Sequence, residues 1–88
     1  MDLIEIRTRI DAVDERLLEA FLERMRLSEQ VAEHKLKNGL PLENREREQE
    51  VLQRAREGAG EYERYAAELF GTLIQLSKDR QQQLHPEL

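Results

Sequence analysis

The chain has 88 residues, no cysteine and a formal net charge of −5. That length makes one domain; the missing thiols exclude disulfides and thiolate metal sites, and the acidic balance argues against nucleic acid as a general partner. With 38% charged and 5% aromatic residues, such a chain is helical or disordered, and its regular apolar stripes predict an all-α fold.

A first helix is predicted from about Leu3 to about Lys37, on the stripe Leu3, Ile6, Ile10, Val13, Leu17 and Phe21. No apolar run is long enough to span a membrane, and the acidic start Met1-Asp2-Leu3-Ile4-Glu5 is not a signal peptide. The expectation is therefore a cytoplasmic protein with no membrane partner. Continued at the same spacing, the stripe lands on Arg24, Ser28, Val31 and Lys35. At about 100° per residue, Arg24 and Lys35 point the same way as Ile6 and Leu17. A buried, unpaired cation costs several kcal/mol or more, so something anionic is expected to meet these two.

The length of this helix carries a second expectation. At about 1.5 Å per residue it spans about 50 Å, whereas a compact chain of this size has a radius of gyration of about 12 Å. Its far half has no partner within the same chain unless it kinks. Pairing two copies solves this, so a homodimer is expected.

Asn38-Gly39-Leu40-Pro41 ends the first helix, with Asn or Gly available for a left-handed cap and Pro41 unable to continue. A second helix begins near Asn44, which can cap it or lie in its first turn, and runs to about Glu57. Its apolar stripe is sparse (Val51, Leu52, Ala55) and reaches back to Glu48 and Asn44, with Arg47 at the edge. Gly58-Ala59-Gly60 then breaks the chain. A third helix is predicted over roughly Glu61 to Leu84, on Tyr62, Tyr65, Ala66, Leu69, Phe70, Leu73 and Leu76. On one of its flanks Phe70 and Ile74 continue to Ser77 and Gln81.

Each predicted helix thus turns a polar cluster inward: Arg24, Ser28 and Lys35; Asn44, Arg47 and Glu48; Ser77 and Gln81. Any single member could be a snorkelling core-edge residue, and Glu48 could simply pair with Lys35 or Arg24. Three faces together weaken that explanation, because the burial costs add. In a two-chain coiled coil, polar core positions are usually isolated. His34 and His85 lack a second ligand at metal spacing, so no metal site is expected. There is no Gly-rich phosphate loop, and neither Ser28 nor Ser77 has a His–acid partner for nucleophilic catalysis. What remains is a cationic pocket with one carboxylate and one amide. It suits a small di-anion carrying a hydroxyl and an ether or carbonyl acceptor.

These residues resemble the all-helical class of chorismate mutase, the type also found fused to prephenate dehydratase or dehydrogenase. The resemblance runs from Ile6-Arg7 to Gln81. Its marks are Ile6-Arg7; Ile10-Asp11-Ala12-Val13-Asp14; Leu22-Glu23-Arg24-Met25; Val31-Ala32-Glu33-His34-Lys35; Pro41; Arg45-Glu46-Arg47-Glu48; and Leu69-Phe70 with Ser77 and Gln81. It implies a single domain over residues 1–88, folded as three helices (one very long) in an intertwined homodimeric bundle with shared active sites. It also implies that Arg7, Arg24, Lys35, Arg47, Glu48, Ser77 and Gln81 contact substrate. Arg7 lies off the centre of its stripe, which fits a family pattern of reaching into the other copy's pocket. Asn44 stands where an aspartate is familiar; it keeps the hydrogen-bonding shape without the charge.

The implied reaction is the pericyclic rearrangement of chorismate to prephenate in phenylalanine and tyrosine biosynthesis, for which no cofactor is expected. The resemblance makes Lys35, Gln81 and Glu48 catalytic, Lys35 and Gln81 donating to the ether oxygen and Glu48 accepting from the ring hydroxyl. Arg7, Arg24, Asn44, Arg47 and Ser77 are implied to bind substrate. Two alternatives stand beside this reading: an isochorismate pyruvate-lyase on the same scaffold, and a non-catalytic helical oligomerisation module that merely pairs its charges.

Overall fold

A computed structural model of the chain describes residues 1–87. It is all-helical: α1 (Leu3–Lys37), α2 (Arg45–Gly58), a short 3-10 turn (Gly60–Tyr62) and α3 (Glu63–Leu84). Among these residues no helix is long and apolar enough to cross a membrane.

Local chemistry explains the helix limits. The Asp2 side chain caps α1 by accepting from the Glu5 amide at 2.9 Å. At the other end Gly39 takes φ +64°, and the Leu40 amide donates back to the Lys35 carbonyl at 2.9 Å while that of Gly39 reaches Leu36. This is the left-handed closure that a glycine just past a helix permits. Asn44 caps α2, its Oδ1 accepting from the Arg47 amide at 3.0 Å. The break after α2 lies later than the glycine pair suggests. Gly58 stays helical, and Gly60 makes the turn at φ +57°. The tight turn closed by the Tyr62 amide on the Ala59 carbonyl holds residues 60–62 in 3-10 form, so α3 starts at Glu63 rather than Glu61.

α2 packs along α3, and α3 packs on α1, while α1 and α2 make no close backbone approach. The radius of gyration is 16.1 Å and the long axis 54 Å, against about 12 Å for a compact chain of this length. α1 sets that shape, because its first half projects beyond the other two helices. Its stripe is bare there, with Ile10 50% and Leu17 56% exposed. Tyr62 and Tyr65, expected on the inward stripe of the third helix, are also exposed. Tyr62, in the 3-10 turn, and Tyr65, in the first turn of α3, are remote from the α1 contacts made by Leu73, Ser77, Arg80 and Gln81.

The chain buries little apolar surface. Among the described residues Ala32 is the one buried apolar residue, and the other buried residues, Ser77 and Gln81, are polar. What the chain does bury is thus mostly polar.

Candidate active site

Seven of the eight site residues expected from the sequence line one cleft: Arg24 and Lys35 from α1; Asn44, Arg47 and Glu48 from the start of α2; Ser77 and Gln81 from α3. Ser28 joins them, with Val31, Leu42 and Ile74 among the apolar walls, around a volume of about 270 Å³. The α1 turn-to-turn spacing that placed Arg24, Ser28 and Lys35 on one stripe is what aims them into the cleft, Arg24 and Ser28 against α3 and Lys35 toward the Leu42 carbonyl.

The polar groups interlock. An Arg24 terminal nitrogen donates to Ser77 Oγ at 2.8 Å and to the Leu73 carbonyl at 3.3 Å. Ser28 Oγ lies 2.9 Å from Ser77 Oγ, as donor. A hydroxyl has two acceptor lone pairs and one proton. With both lone pairs engaged, the Ser77 proton is left to donate elsewhere. Gln81 Nε2 gives one hydrogen to the Ser28 carbonyl at 2.8 Å, and an amide nitrogen has a second to give. Lys35 Nζ donates to the Leu42 carbonyl at 2.9 Å and retains two further protons.

Positive charge dominates the cleft. Burial, and then the neighbouring Arg47, push the Arg24 pKa below its ordinary value. Both causes are unfavourable for a guanidinium, and an anion placed between the two arginines relieves the second. Arg47 itself is outward-leaning, its guanidinium 3.0 Å from Glu50 and its side chain 55% exposed.

Comparison with known proteins gives the family. The family model of chorismate mutase type II matches residues 6–82. The chain is also similar to a chorismate mutase of Methanocaldococcus jannaschii, 36% identical over 84 residues that cover 92% of this chain and 85% of that protein. The chain belongs to the chorismate mutase type II family. It is accordingly an enzyme of the isomerase class, a chorismate mutase. No solved structure matches it significantly.

Two features of this chorismate mutase domain depart from the sequence reading. Glu48 pairs with neither Lys35 nor Arg24 but with Lys78, at 3.4 Å. Lys35 is turned to the Leu42 carbonyl and Arg24 to Ser77, and α2 instead brings Glu48 against α3. Lys78 also reaches Glu43, at 3.6 Å. Its ammonium, followed by Arg45, holds the exposed Glu43 carboxyl below the usual carboxylate range. Lys78 lines the cleft and was missed, although its place four residues after Ile74 puts it on the flank already read as inward.

Arg7 is the one expected site residue that the single chain does not bring to the cleft. It is exposed on the projecting half of α1, about 26 Å from Arg24 along the helix at about 1.5 Å per residue.

Proposed function

We propose that this cleft, completed by Arg7 from a second copy of the chain, rearranges chorismate to prephenate. The observation that carries the reading is the convergence of Arg24, Lys35 and Arg47 with a single lining carboxylate, Glu48, in one small cleft. Such a cleft favours a compact dicarboxylate with a hydroxyl. A concerted pericyclic step needs no nucleophile, so the chain's task is to hold the reactive conformer and to meet charge growing on the ether oxygen as its C–O bond breaks.

In this reading Arg24 and the second copy's Arg7 each grip a substrate carboxylate by charge-assisted bonds. Ser77, whose proton is free, adds a donor to one of them. Glu48 accepts from the ring hydroxyl, beside Asn44 and Arg47. Lys35 and Gln81 each keep unused hydrogens and give them to the ether oxygen, where the interaction strengthens in the transition state. Asn44, already spending its Oδ1 on the α2 cap, contributes shape without charge.

The bare stripe on the first half of α1 supports the homodimer. Leu3, Ile6, Ile10, Val13 and Leu17 are all exposed in one chain, and apolar surface of this extent marks an interface. Two antiparallel copies bring Arg7 of each to Arg24 of the other. As in the family at large, the product is taken to serve phenylalanine and tyrosine synthesis in the cytoplasm.

Chorismate consumption followed spectrophotometrically, with the product identified, tests the activity. Prephenate is the expected product. No turnover, or release of pyruvate, overturns the reading.

A further inference from the structure

Lys78 belongs to none of the substrate contacts assigned above, yet it lines the same cleft and meets carboxylates from two other segments. Among the described residues it is the only cation within ion-pair reach of Glu48. The other cleft cations are engaged elsewhere: Arg24 on Ser77 and Leu73, Lys35 on Leu42, Arg47 on Glu50. The Lys78 and Glu48 side chains are 35% and 25% exposed, so salt and water screen the pair less than they would a surface pair.

The pair addresses a conflict that the chemistry of the site creates. A carboxylate suits a ring hydroxyl as an acceptor, but it repels a substrate that carries two negative charges. Left unpaired, Glu48 would also turn toward Arg47 or Lys35, the cations the substrate needs. We propose that Lys78 is a positioning residue, which holds Glu48 toward the substrate hydroxyl and offsets its charge so that a di-anion can bind beside it. The same ammonium, through Glu43, ties the segment between α1 and α2 to α3 at the rim of the cleft. This inference rests on the proposed function, in which Glu48 accepts from the hydroxyl.

Charge compensation acts alike on bound substrate and transition state, so its loss raises KM and leaves kcat nearly unchanged. A purely structural lysine lowers the melting temperature without that split. The test compares wild type, Lys78→Met, Lys78→Arg, Glu48→Gln and the double variant Lys78→Met/Glu48→Gln. Each is measured by chorismate kinetics, by calorimetric binding of a bicyclic di-anionic transition-state mimic, and by thermal melting.

Lys78→Met is expected to raise KM and the mimic's Kd about five- to tenfold, with kcat within about twofold, as for loss of a partly desolvated charge pair. Lys78→Arg restores most of the affinity. In the Glu48→Gln background the same Lys78→Met change shifts Kd by less than about twofold, because no charge remains to be offset. Unchanged KM and Kd in Lys78→Met overturn the inference. So does an equal loss in both backgrounds, which makes Lys78 a direct ligand contact, or a loss that merely follows the unfolded fraction. A wild type that neither consumes chorismate nor binds the mimic brings down the proposed function and this inference together. Wild-type binding with an indifferent Lys78→Met brings down the inference alone.

Discussion

The two halves of α1 share one periodicity and have opposite surroundings. From Leu3 to Leu17 the stripe is apolar and bare, with Ile6 at 40% and Leu17 at 56% exposure. From Arg24 to Lys35 it is largely polar and partly covered: Arg24, Ser28 and Lys35 are half-buried, Val31 stays exposed, neighbouring Ala32 is fully buried, and Arg24, Ser28 and Gln81 are joined by hydrogen bonds between α1 and α3. An apolar stripe is ordinarily what a chain hides first. Here one chain partly covers its polar half and leaves the apolar half open. On the proposed function, burial within the chain serves the site and the open apolar surface meets a second copy.

The comparison is broken hardest in the polar half. Lys35→Ala is expected to lower kcat by about 10²–10³, as for loss of a donor to developing charge, with the circular dichroism spectrum unchanged. Near-wild-type turnover would remove Lys35 from the ether oxygen.

In the apolar half, Leu17→Asp is expected to destabilise the protein by about 2–3 kcal/mol in denaturant titrations and to dissociate it in sedimentation, as for a charge placed against a buried surface. On an open face the same change costs within about 0.5 kcal/mol, so a small effect denies that anything covers the stripe.

A mixing experiment joins the halves. Inactive Arg7→Ala and inactive Arg24→Ala proteins, combined one to one and allowed to exchange subunits, should recover about a quarter of wild-type activity. Half the dimers are then mixed, and each has one intact pocket of two. No recovery after demonstrated exchange separates Arg7 from the site.

Gln81→Glu sharpens the picture inside the cleft. An amide donates at any ordinary pH and a carboxyl only when protonated, so activity should fall as pH rises through the new group's pKa, moving the optimum to acid. A pH–rate profile identical to wild type places residue 81 away from the reacting bond.

The smallest effect belongs to Glu43. Its folded pKa is depressed by Lys78 and then Arg45, so its stabilisation is present above the unfolded carboxylate value and lost as pH falls through the folded one. Being exposed, the pair is screened. The melting-temperature difference between wild type and Glu43→Gln should be slight at neutral pH, and should vanish in acid or high salt.

Much of this organisation is legible in the sequence, because the features that set it are local. Stripe period gives the helices, Asn38-Gly39 gives a left-handed stop, and a stripe that runs from Leu17 into Arg24 and Lys35 shows polar groups on a packing face. What depends on how helices meet is not legible in the same way. The pairing of Glu48 with Lys78 arises where α2 crosses α3, and a lysine on a helix flank looks like any solvated lysine until that crossing is known. Tyr62 and Tyr65 fit the period of α3, yet periodicity names a face without naming what lies opposite it. The 3-10 turn follows from the φ of Gly60, which composition does not specify against Gly58.

The bond from Lys35 to the Leu42 carbonyl has an entropic consequence for the role that the proposed function gives this lysine. A free lysine stem loses about 2 kcal/mol of rotamer entropy when it is ordered, equivalent to about thirtyfold in an equilibrium constant. Here the chain's own backbone carbonyl already holds the ammonium in station. On the proposed function, that ordering is completed once, as the protein folds, and substrate meets a lysine already in position.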